Sequence, residues 1–270
     1  MTPPDAIRLD WSADRGRADL RIAVLPVNVL DVASLAALAR QIGLAREARV
    51  LVLTGLPKAF CAGVDVADHV PEPAPIERML AAMRDVLEAL VRTPAITLAA
   101  VSGACLGGGA EIVAACDLAL ATDDARIGFP EIRLACFPPG AAALLPGRVG
   151  EARATEWILS GRILSGREAA AAGFVSRSVS ETRLPEETDR LVERILETGR
   201  EALSSARDLM RAGRREALEK RLPVAEDAYR RLAGNAELAR AVREFRSGVI
   251  PSPSASLGTG SARDPFRVKP

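Results

Sequence analysis

Apolar and polar positions change rhythm several times along the chain, and each rhythm predicts an element. Residues 7–11 and 18–24 alternate apolar with polar around a turn signal at 14–16, which predicts an antiparallel hairpin. Helical spacing of Leu35, Leu38, Ala39 and Ile42 predicts a helix over 32–43 that stops at Gly43. The unbroken apolar run 50–53 reads as a central strand, and 58–65 as a loop. Pro71, Pro73 and Pro75 form a stiff break before an amphipathic helix over 76–92. A second apolar run, 96–101, predicts a buried strand that ends at Gly107, Gly108 and Gly109, with a helix over 110–116 behind them.

Beyond these, 117–121 reads as a strand and 128–139 as a proline-punctuated loop. Helices are predicted over 141–145, 153–159 and 165–172. Strands alternating with helices imply a layered α/β fold with repeating βαβ units. From 184 to 244 the pattern is almost wholly helical and dense in Arg and Glu, as on solvated or intersubunit faces. The Ser/Pro/Gly-rich tail 250–270 lacks an apolar period and is expected to be mobile.

A chain of 270 residues can bury a sizeable core. Its 36 basic and 35 acidic residues nearly cancel, which argues against a broad nucleic-acid or membrane-binding face. The N-terminus shows no signal-peptide pattern, and the apolar stretch 94–121 is interrupted by glycines and acids, unlike a membrane span. Cys61, Cys105, Cys116 and Cys136 lack CxxC spacing and have apolar flanks. They read as small core residues in a reducing compartment, and no metal site is expected.

Chemistry concentrates at the strand–glycine–helix junction. Glycines there let the backbone approach a ligand, and a helix N-terminus offers free N–H groups to negative charge. Glu111 lies just inside the helix, and Glu131 follows behind Pro130. Backbone donors beside two acids suit acid–base chemistry at a developing oxyanion. Plainer readings stay open from the residues alone: a tight turn for the glycines, a dipole-balancing charge for Glu111, a surface acid for Glu131, and a loop residue for His69, the single histidine.

The segment AVSGACLGGGAEIVAACDLALATDDARIGFPEIRLACFPP resembles the signature of the enoyl-CoA hydratase/isomerase (crotonase) superfamily. Upstream, VLVLTGLPKAFCAGVDV is similar to that family's first oxyanion-hole loop, and GEARATEWILSGRILSGREAAAAGFVSRSV resembles a downstream segment. The resemblance implies a spiral of ββα repeats over 1–183, a helical oligomerisation region over 184–249, and a homotrimer or dimer of trimers. It implies a cytoplasmic enzyme that handles coenzyme A as part of its substrate, with no permanently bound cofactor.

By the same resemblance, the amides of Val64 and Gly108 hold the thioester oxygen. Glu111 activates a water, Glu131 gives a proton to the α-carbon, and Ala62, Gly63, Asp65, Gly107, Phe137 and Pro138 contact substrate. Many relatives carry a Lys toward the CoA phosphates where this chain has Ala67; Lys58 and Arg246 are the substitutes expected here. Both acids being present favours adding or removing water. An isomerase or decarboxylase of the superfamily, or an idle CoA-binding protein, remains open. The Phe-Pro-Pro turn at 137–139 departs from the commonest hydratase pattern and implies a reshaped pocket for a bulky acyl group. In this it resembles the cyclohexa-1,5-diene-1-carbonyl-CoA hydratases.

Overall fold

A computed structural model describes residues 6–66 and 72–247. His69, Ala67, Pro71 and the tail 250–270 therefore lie outside the described residues. The predicted hairpin is present: β1 (Ile7–Trp11) pairs antiparallel with β2 (Arg17–Ile22), Ile7 opposite Ile22 and Trp11 opposite Ala18. After the two-residue β3 (Val29–Leu30), α1 (Val32–Leu44) begins at Asp31, whose side chain accepts the Ser34 N–H at 2.8 Å. The helix runs through Gly43 rather than stopping there; one glycine in a last turn costs only about 0.5–1 kcal/mol.

Strand β4 (Val50–Thr54) is followed by β5 (Ala59–Cys61) and β6 (Gly63–Val64). The stretch 58–65 is thus not a loop, because two- and three-residue strands are too short to display a period. Helix α2 (Pro73–Arg92) starts three residues earlier than its apolar pattern, since first-turn N–H groups have no intrahelical acceptor and proline loses nothing there. Strand β7 (Ile96–Val101) has its predicted bounds, but the chain then turns into β8 (Ala104–Leu106) before reaching the glycines. Helix α3 (Gly108–Ala115) begins on the second of them.

Strands β9 (Leu118–Thr122) and β10 (Arg126–Gly128) repeat that step, and a 3₁₀ turn over Pro130–Leu134 leads into α4 (Pro139–Val149) and α5 (Glu151–Ser160). Strand β11 (Ile163–Ser165), α6 (Gly166–Ala171) and β12 (Arg177–Val179) follow. Four helices close the described chain: α7 (Leu184–Glu197), α8 (Arg200–Lys220), α9 (Leu222–Arg230) and α10 (Ala236–Arg246).

One six-stranded sheet has the order β1-β2-β4-β7-β9-β12, and a four-stranded sheet the order β11-β10-β8-β5. Each of the pairs β4/β5, β7/β8 and β9/β10 splits between the two sheets across a short turn. This repeated split is the spiral of ββα units. The central strands read as unbroken apolar runs because both of their faces are covered. Leu51, Leu53, Ala99 and Val101 belong to the main core with α1, α2 and α3, whereas Val50, Val52, Leu98 and Leu120 pack against Leu184 and Val192 of α7. Helix α8 is pinned by Arg211, which is fully buried. Its guanidinium bonds Asp117 and the carbonyls of Thr93 and Ala95. All four cysteines are free and buried. Among the described residues no helix is long and apolar enough to cross a membrane.

Candidate active site

Strand β8 delivers the chain to Gly107, whose φ of 52° and ψ of −124° suit glycine and turn the backbone abruptly into α3. The Gly107 N–H is held by the Gly128 carbonyl at 2.9 Å. A methyl group on Gly107 would collide with Glu131 Oε1, so the missing side chain is the space that the carboxylate occupies. At Gly108 an added Cβ would lie 2.7 Å from Val64 Cγ2 and 3.5 Å from the Val64 main-chain nitrogen. Two backbones 44 positions apart thereby meet at the start of α3, with β3 holding the second through the Asp65 N–H to Leu30 carbonyl bond of 2.9 Å.

Glu111 sits in the first turn of α3 and is 3% exposed. Its Oε1 accepts the Ala141 N–H at 2.8 Å, and the Gly140 N–H also points to it. Both donors belong to the first turn of α4, where N–H groups lack helical partners. Burial pushes the Glu111 pKa up to about 7, and the two amides hold it from rising further. Glu131, on the 3₁₀ turn, is only half-buried as a residue, but its Oε2 is enclosed and has no hydrogen-bond partner among the described residues. Burial first, and the charge of Glu111 second, drive its pKa well above the usual carboxylate value. Both acids are therefore enclosed, unlike a surface acid or an exposed dipole partner. The two amides favour ionisation of Glu111, whereas the charge of Glu111 disfavours that of Glu131.

A cavity of about 360 Å³ joins these parts. Ala62, Gly63, Val64, Asp65, Gly107, Gly108, Glu111, Glu131, Phe137 and Pro138 all line it. Lys58 and Arg246 do not, and both are exposed. Phe137 stacks edge-on against Tyr229, ring centroids 5.5 Å apart, which closes one side with aromatic bulk. Sequence reading missed the helical part of the wall: Met79, Leu80, Met83, Arg84 and Leu87 of α2, Leu222, Glu226 and Tyr229 of α9, and Phe245 of α10. The three- and four-residue spacing in α2 and α9 was the available signal; in sequence it is indistinguishable from ordinary core packing. A larger recess of about 890 Å³ between α4 and α8, lined by Arg148, Glu151, Arg214 and Lys220 among others, has no comparable pair of enclosed acids. No group of three His, Cys, Asp or Glu among the described residues is placed to hold a metal.

Residues 27–246 match the model of the family described as Enoyl-CoA hydratase/isomerase. Cyclohexa-1,5-dienecarbonyl-CoA hydratase of Thauera aromatica is 36% identical over 159 residues, which cover 58% of this chain and 61% of that protein. Mitochondrial methylglutaconyl-CoA hydratase of Rattus norvegicus is 33% identical over 170 residues, covering 61% and 52% respectively. The chain thus spans 52–61% of the length of these two curated relatives. Among solved structures, Pseudomonas aeruginosa OdaA is similar with a TM-score of 0.78 and 25% identity, over 89% of this chain and 98% of that one. An enoyl-CoA hydratase from Mycobacterium avium subsp. paratuberculosis shares the fold with a TM-score of 0.81 at 22% identity, over 91% and 97%. With more than half of its length matched by the family model, and with the spiral of ββα units in place, the chain belongs to the enoyl-CoA hydratase/isomerase family.

Proposed function

We propose that the chain adds water to, or removes it from, an α,β-unsaturated acyl-CoA thioester with a bulky or cyclic acyl group. The observation that carries this reading is the pair of enclosed carboxylates, one bonded by the amides of α4 and one with an unpartnered oxygen, on the wall of the cavity where the Val64 and Gly108 main chains converge. In the proposed reaction the amides of Val64 and Gly108 stabilise the thioester oxygen as the enolate forms, the kind of donor pair whose loss costs about 2.7–4 kcal/mol of barrier. Ionised Glu111 takes a proton from water, the water oxygen bonds to the β-carbon, and the π electrons move toward the α-carbon and thioester oxygen. Glu131 then gives its proton to the α-carbon. Glu111 ends protonated and Glu131 ionised, and one proton transfer between them restores the starting state.

The bulky or cyclic acyl group is supported by the Phe137–Tyr229 wall and by likeness to a cyclic-dienoyl-CoA hydratase. Ala62, Gly63, Asp65, Gly107, Phe137 and Pro138 are proposed to contact the substrate, with Lys58 and Arg246 toward the CoA phosphates outside the cavity. A cytoplasmic homotrimer or dimer of trimers is proposed through the helical region, where Leu209 and Met210 are 72% and 76% exposed. The test is a panel of linear, branched and cyclic enoyl-CoA thioesters followed by loss of the conjugated-thioester absorbance. Turnover of ring or branched substrates is expected. Preference for crotonyl-CoA removes the acyl assignment, and double-bond migration without water uptake replaces hydration with isomerisation.

A further inference from the structure

Part of the cavity wall carries charge that water addition does not use. Arg84 of α2 and Glu226 of α9 both line the cavity, and Arg84 Nη1 donates to Glu226 Oε2 at 2.5 Å. The Glu226 side chain is 2% exposed and that of Arg84 30%. Arg230 Nη2 approaches the same Oε2 at 3.5 Å and is itself held by Glu77 at 2.6 Å. Both cations therefore address one oxygen of Glu226. The other, Oε1, accepts no hydrogen bond from the described residues.

Neighbouring residues locate this pair relative to the acids. Leu87 lies beside Glu111, since a Cβ on Gly140 would stand 2.6 Å from Leu87 Cδ1 and 2.9 Å from Glu111 Oε1. Arg84 is three residues before Leu87 on α2, and Glu226 is three residues before Tyr229 on α9. The ion pair thus sits roughly one turn, about 5 Å, along each helix from groups that flank the reacting centre. That is the reach of the far side of a six-membered ring, or of a short chain, beyond the β-carbon.

An alkyl chain laid over this oxygen would take it out of water and supply no donor in return, which is costly. An added substrate carboxylate would face an existing excess of anions, because Glu77, Glu226 and Asp227 outnumber Arg84 and Arg230. A hydroxyl group meets both demands, donating to Oε1 and accepting from the Arg84 guanidinium. Resting on the hydratase reading, we infer that Glu226, oriented by Arg84, determines specificity by selecting acyl-CoA substrates with a hydroxyl group beyond the β-carbon, over alkyl and carboxylate-ended acyl groups of the same size.

The test compares kcat/KM of the full chain for hex-2-enoyl-CoA, its 5-hydroxy and 6-hydroxy derivatives, and hex-2-enedioyl-CoA. At least one hydroxyl substrate is expected to exceed the alkyl one by about tenfold or more, and the dicarboxylate to be the poorest. Glu226→Leu is expected to bring the hydroxyl-to-alkyl ratio to about one, and Glu226→Gln to retain part of it. A variant that merely folds less well lowers both rates together and leaves their ratio unchanged, so the ratio reports the contact. Equal wild-type kcat/KM values, or a ratio unmoved by Glu226→Leu, overturn the inference. Should no thioester be hydrated, either here or in the panel of ring and branched substrates, the hydratase reading fails instead. Calorimetric Kd values for hexanoyl-CoA and 6-hydroxyhexanoyl-CoA then decide this point alone: about tenfold tighter hydroxyl binding supports it, and equal binding ends it.

Discussion

The Ala141 N–H, thirty positions along the chain from Glu111, donates to Glu111 Oε1 at 2.8 Å. The first turn of α4 thereby supplies to α3 a donor that favours the ionised acid, while burial opposes ionisation and sets the Glu111 pKa at about 7. Glu131 has only its own main-chain amide, its Oε2 accepts no hydrogen bond from the described residues, and burial and then the charge on Glu111 disfavour its ionisation. The backbone of the first turn of α4 thus favours Glu111 over Glu131 for the role of base proposed for it.

A bell-shaped dependence of kcat on pH is expected. Activity rises as Glu111 loses its proton near pH 7, then falls at higher pH as Glu131 loses the proton it must deliver. Initial rates of hydration across the range check it. A rate that declines steadily from acid to neutral pH contradicts the assignment of Glu111 as base.

Stability should move in the opposite sense. A carboxylate whose folded pKa is raised binds its proton more tightly in the native state than in the unfolded one. Its contribution is complete below the unfolded value of 4.5 and is lost as pH rises through the folded value of about 7. Glu111→Gln removes that loss. The variant is expected to gain up to about 3 kcal/mol over wild type above pH 7 and almost nothing near pH 4, read from urea midpoints at the two pH values.

Gly108→Ala should damage catalysis more than folding. The added methyl group meets Val64 Cγ2, a side-chain atom that can give way, but in doing so it parts the two backbones proposed to hold the thioester oxygen. A fall in kcat of about 10²–10³ is expected, with a melting temperature within a few degrees of wild type.

Asp117→Asn should show the reverse. Asp117 receives the guanidinium groups of Arg211 and Arg214, and Arg211 has no exposed surface. Leaving that cation without its anion is expected to cost about 3–5 kcal/mol in denaturant unfolding, with kcat per folded molecule retained.

The hairpin, the central strands and the glycine–helix junction were legible because each carries a local signal: alternation, an unbroken apolar run, or a glycine cluster. Glu111 and Glu131, which line one cavity, stood out through their setting, a carboxylate among Ala, Ile and Val and another behind a proline; their roles remain as proposed. The short strands β5, β6, β10, β11 and β12 were not, since two or three residues cannot establish a period and their partners are distant in sequence. Nor were Arg84, Glu226 and Tyr229. On charge-rich helices such residues resemble a solvated face, and only the packing of α9 against α2 encloses Glu226, whose side chain is 2% exposed. Lys58 and Arg246 are exposed and outside the cavity lining, and the phosphate contact proposed for them rests on their charge alone.

The measurement closest to the central claim is kcat for enoyl-CoA hydration in Glu111→Gln and Glu131→Gln, each with its fold checked by circular dichroism. Each variant is expected to lose about 10²–10⁴ of kcat, and the double variant little more than the worse single one, because the two acids act as a unit. Wild-type kcat in either single variant contradicts the account.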